Sequence, residues 1–92
     1  MQEVLTNPSF QNLPHFEQVY YELRLDDSAD IRKPGFIVKQ TRFQWSEIDA
    51  QMMFDEYEFE EYKTLEEARE RYRARRTALK QVGFTFSDMD LF

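Results

Sequence analysis

Ninety-two residues carrying a formal net charge of −6 and no cysteine are enough for one hydrophobic core but not two. The missing cysteines exclude a disulfide framework, thiolate chemistry and zinc–sulfur sites. No apolar run approaches the ~18 residues a membrane-spanning helix needs, and no basic segment leads into an apolar one at the N-terminus. A soluble, cytoplasmic protein without membrane contact is the expectation. A domain this small buries only roughly 60–65% of its unfolded surface. Its nine phenylalanines, five tyrosines and one tryptophan therefore matter, since each ring buries about 150–250 Å².

Residues 1–15 contain Asn7-Pro8 and Leu13-Pro14, pairs that interrupt regular structure. They read as an irregular arm, pinned to the body by Phe10, Leu13 and Val4. A single domain is expected over residues 16–86, with an acidic tail at 87–92. His15 is the only histidine; no serine or cysteine context offers it a nucleophile to activate, so it reads as a boundary residue.

Residues 16–25 alternate cleanly, with Val19, Tyr21, Leu23 and Leu25 on one face and Gln18, Tyr20, Glu22 and Arg24 on the other. That period of two predicts a half-buried strand. A polar connection follows, closed by Pro34-Gly35. Its aspartates do not make a calcium loop, because Ile31 and Ile37 stand where the sixth-position glycine and twelfth-position glutamate are required. Residues 36–45 are rich in β-branched and aromatic side chains and predict a second strand, one face under a helix and the other under the N-terminal arm.

A turn is expected at 46–50 and a third strand at about 52–61. Tyr57-Glu58-Phe59-Glu60 alternates, whereas a helix there would set Glu56 against Glu60 at the unfavourable i,i+4 spacing. In this reading Met53, Tyr57 and Phe59 face inward and Glu56, Glu58 and Glu60 line the outside.

Residues 64–83 read as one long helix. Thr64 and Glu67 have the spacing of a capping box, and Gly83 stands where a left-handed stop residue is wanted. Leu65, Ala68, Tyr72, Leu79 and Val82 form one apolar stripe. Phe84-Thr85-Phe86 then reads as a short edge strand or a clamp. The resulting fold class is α+β: a small antiparallel sheet of three strands, or four with the returning segment, packed against one long C-terminal helix. The phrase YKTLEEARERY opening a helix that closes at Gly83-Phe84 resembles the end of WGR-type domains over residues 57–84. The Trp-Gly-Arg triplet that names those domains is absent, Trp45 being followed by Ser46 and Glu47, so no functional residue is carried across.

The charge is unevenly spread. Residues 46–67 hold nine acidic and one basic side chain, and residues 68–83 hold six basic and one acidic. No glycine-rich phosphate loop, H-E-x-x-H or nucleophile elbow is present, so no catalytic residue, metal site or cofactor is assigned and a non-enzyme is expected. Two charged surfaces remain. Asp55, Glu56, Glu58, Glu60 and Glu61 form an acidic strand face suited to a protein partner with a basic surface. In its extreme form such a strip imitates a nucleic-acid backbone and acts as an inhibitor. Arg69, Arg73, Arg75, Arg76 and Lys80 form an alternative basic patch for nucleic acid, which the net negative potential disfavours. Ordinary helix pairs, Glu66 with Arg69, Glu67 with Arg71 and Glu70 with Arg73, would absorb part of that patch. A small interaction or regulatory protein binding through the acidic face is the leading expectation, a nucleic-acid-binding module the second, and a structural homodimer subunit the third.

Overall fold

A computed structural model describes residues 1–28 and 30–86. The chain forms β1 (Gln2–Thr6), two 3-10 turns (Phe10–Asn12 and His15–Glu17), β2 (Val19–Asp27), β3 (Phe36–Ser46), β4 (Gln51–Tyr62), α1 (Leu65–Gln81) and β5 (Thr85–Phe86). The strands make one antiparallel sheet in the order β4-β3-β2-β1-β5. The α+β class holds, with five strands rather than three or four. The additional strand is β1, inside the stretch expected to be an irregular arm. It pairs with β2 on one side and with β5 on the other. The acidic tail at 87–92 lies outside the described residues. No helix among the described residues is long and apolar enough to cross a membrane.

Helix α1 has both ends the sequence marks. Thr64 accepts from the Glu67 amide at 3.2 Å and donates its hydroxyl to the Glu67 carboxylate at 3.0 Å, so glutamate holds the cap through its hydroxyl rather than its N–H. At the other end Gly83 has φ 101°. Its amide donates to the Lys80 carbonyl and the Phe84 amide to the Leu79 carbonyl, at 3.1 and 3.0 Å, the two bonds of a Schellman stop. Val82, expected on the apolar stripe, sits at this stop with non-helical backbone and is exposed.

The core lies between α1 and one face of the sheet. Leu5, Leu23, Leu25 and Val38 meet Ala68, Tyr72 and Leu79 there, with Tyr21, Phe36, Tyr62, Leu65 and Phe84 around the margin. The inward set of β2 is the one its alternation predicts. The opposite face is covered at one end by residues 7–18. Phe10 packs edge-on to Tyr20, Tyr20 stacks on Phe43 and His15 stacks on Trp45. Gln18 pins the flap by donating to the carbonyls of Phe10 and Leu13 at 2.9 and 3.2 Å. Strand β3 is thus covered on both sides, as its imperfect alternation suggests. Gly35 is required where the chain enters β3, since a Cβ there would lie 2.6 Å from the Tyr62 carbonyl oxygen.

Candidate docking surface

Strand β4 is an outermost strand of the sheet and its longest, 12 residues hydrogen-bonded to β3 along one edge. Among the described residues nothing pairs with its other edge. The register sets Glu56 opposite Arg42, Glu58 opposite Gln40, Glu60 opposite Val38, Tyr57 opposite Thr41 and Phe59 opposite Lys39. Paired residues share a face of the sheet. Glu56, Glu58 and Glu60 therefore lie on the side that carries α1, and Tyr57 and Phe59 lie on the back. This reverses the expected orientation, in which the aromatics faced inward and the glutamates outward.

The physical reason is charge matching with the helix. Arg75, which has no partner within the helix, reaches over the sheet margin to donate to Gln40 at 3.0 Å and Glu58 at 2.9 Å, and it also bonds Glu60. Arg71 donates to Glu60 at 3.0 Å. Along β3, Arg42 lies 3.3 Å from Glu56 and 3.8 Å from Asp55. Turning the glutamates outward would leave the Arg75 side chain, only 11% exposed, without a counter-charge, a costly arrangement. Glu60 is the centre of the cluster: the Tyr62 hydroxyl at 2.5 Å, then Arg75 and Arg71, hold its carboxyl down to about 2 against the opposing effect of burial. Burial tends to lower the Arg75 value, yet its bonds to Glu58 and Glu60 raise it overall.

A register shift between Arg42 and Phe43 leaves Asp55 as the extra residue of a bulge. The bulge changes the phase of the alternation. Phe54 consequently pairs with Phe43 on the back, while Met53 pairs with Gln44 on the helix side. Phe54, Tyr57 and Phe59 form a strip on the back of β4 and are 62%, 51% and 53% exposed. The rings of Tyr57 and Phe59 lie 5.8 Å apart. Glu61, opposite Ile37, is also on the back and exposed.

The five predicted acidic residues thus divide. Asp55, Glu56, Glu58 and Glu60 lie within ion-pair reach of Arg42, Arg71 and Arg75; Glu61 belongs to the other face. Four carboxylates against three guanidinium groups leave an excess of negative charge, smaller than the composition implies. The predicted basic patch is dispersed. Arg75 is taken by β4, and Arg76 pairs with Glu3 at 3.2 Å. Lys80 sits 4.3 Å from the centre of the Phe86 ring, leaving Arg69 and Arg73 beside Glu66 and Glu70 on the outer helix surface. Among the described residues none of the three expected in-helix pairs forms; Arg71 turns to Glu60 instead of Glu67. Tyr72 is buried beside Glu3 with no hydrogen bond to its hydroxyl among the described residues. Burial, and secondarily the Glu3 carboxylate, push its phenol well above the ordinary value.

Sequence reasoning missed the exposed aromatic strip. Its signal was present in the unpartnered helix cations Arg75 and Arg76, which demand anions on the surface that α1 covers. No group of three metal-ligating side chains occurs among the described residues. Compared with known proteins, the chain matches no family model, no curated protein and no solved structure.

Proposed function

We propose that this chain is a non-enzymatic interaction module that docks a basic protein partner against β4. The observation that supports it is the exposure of both faces of an outermost strand. Glu56 and Glu58 have 61% and 64% of their side chains in solvent on one face, and the three aromatic rings stand on the other. Each of those glutamates spends one oxygen on an arginine of its own chain, leaving the second oxygen free to accept from a partner cation. The reading is narrower than a fully free acidic strip. Self-pairing weakens nucleic-acid mimicry, which needs carboxylates presented as unneutralised charge. The basic-patch alternative is weaker still, because Arg75, Arg76 and Lys80 are already engaged within the fold.

Amide chemical-shift mapping with an oligolysine of about 20 residues tests the proposal. Shifts concentrated at residues 55–61 that fade as salt rises from about 20 to 300 mM are expected, because exposed charges are screened over that range. The double variant E56Q/E58Q should lose most of the response. Shifts located elsewhere, or insensitive to salt, would overturn the reading.

A further inference from the structure

We infer that the partner engages β4 by strand addition: an extended segment of alternating basic and apolar residues pairs with its free edge as a sixth strand. The inference rests on the interaction-module reading above and specifies its geometry. An unpaired edge presents a row of backbone N–H and C=O groups that template another chain. Such pairing supplies affinity through main-chain hydrogen bonds and selectivity through alternate side chains. Here the regular stretch beyond the bulge, residues 56–62, keeps one register with β3 and offers room for a segment of about seven residues.

The side chains define what that segment must be. Successive residues of an added strand point to opposite faces. One set would stand beside Glu56, Glu58 and Glu60 and the other beside Tyr57 and Phe59. Lysine or arginine suits the first set and aliphatic or aromatic residues the second. The same charge pattern argues against a second copy of this chain as occupant. Glu56, Glu58 and Glu60 share one face, so antiparallel pairing of this stretch with itself sets glutamates opposite glutamates, a destabilising arrangement. A basic segment converts that repulsion into attraction.

Three synthetic seven-residue peptides test the inference on the full chain. One alternates lysine and valine, one has the same composition in two blocks, and one is the alternating peptide N-methylated at every second residue. Strand addition predicts that the alternating peptide binds at least about tenfold more tightly than either control, since N-methylation removes several main-chain donors. It also predicts slowed hydrogen exchange at alternate amides of residues 56–62, those pointing away from β3. Equal binding of all three peptides without amide protection would overturn strand addition while leaving the acidic-face reading intact. If neither these peptides nor oligolysine perturbs β4, both readings fall. Protection that grows with protein concentration in the absence of peptide would instead assign the edge to a second copy and overturn the inference.

Discussion

On the helix side of the sheet, Leu23 and Val38 are fully buried, and Arg42, Arg71, Arg75 and Arg76 at the margin each face a carboxylate. Behind the sheet, Tyr20 and Phe43 are stacked beneath the N-terminal flap, while Phe54, Tyr57 and Phe59 on the neighbouring strand stand in solvent. Along β4 the usual assignment of aromatics to the inside and carboxylates to the outside is inverted. Leaving an aromatic ring exposed forgoes roughly 1.5–3 kcal/mol of burial. Stranding a guanidinium as little exposed as that of Arg75 is at least as costly. Arg42, Arg71 and Arg75 together meet the carboxylate face of β4, and the open aromatic strip lies on the other face.

Five variants test how far the two sides differ. Leu23→Ala removes a fully buried side chain from the centre of the helix-side core and should lower stability by about 2–5 kcal/mol in urea unfolding. A loss under 1 kcal/mol would mean that this face is not the organising core. Arg75→Ala should cost about 1–3 kcal/mol, because it leaves Glu58 and Glu60 short of their donor. It should also change the acid limb of the stability curve. The folded-state value of Glu60 is depressed to about 2 from the ordinary 4.5, so its contribution is fully present above 4.5 and is lost as pH falls toward 2. The urea midpoint of the parent chain should drop between pH 5 and 2.5, and Glu60→Gln should flatten that drop. An unchanged slope in Glu60→Gln would show that the cluster does not act through this carboxylate. Tyr57→Ser and Phe59→Ser should shift stability by no more than about 0.5 kcal/mol, as expected for exposed positions. A loss well above 1 kcal/mol from either would show that the back of β4 is covered.

Local rules made much of this fold legible. Thr64 and Gly83 bound the helix because capping and a positive φ depend only on neighbouring residues. The alternation of β2 identified its buried set, and the i,i+4 clash of Glu56 with Glu60 correctly favoured a strand at β4. Strand β1 was not legible. Gln2, Glu3 and Thr6 obscure its alternation, and its place between β2 and β5 depends on pairing with residues far along the chain. For β4, a period of two separates Tyr57 and Phe59 from Glu58 and Glu60 but does not say which pair meets the helix. That choice depends on the reach of Arg75 across the fold. The bulge at Asp55, which brings Phe54 into the aromatic strip, leaves no local mark in the sequence either.

The pairing of Leu5 with Phe86 joins residues from nearly opposite ends of the described chain, whereas β2, β3 and β4 follow one another as neighbours. Closing so long a loop is entropically slow and comes late in folding, so the meander and α1 should assemble first and the β1–β5 seam last. Among the described residues β5 brings two exposed residues to that seam, so it should be the first to fray when the molecule opens. Breathing of this protein thus begins at the side remote from β4, and the outer strand stays in register while the far margin comes undone.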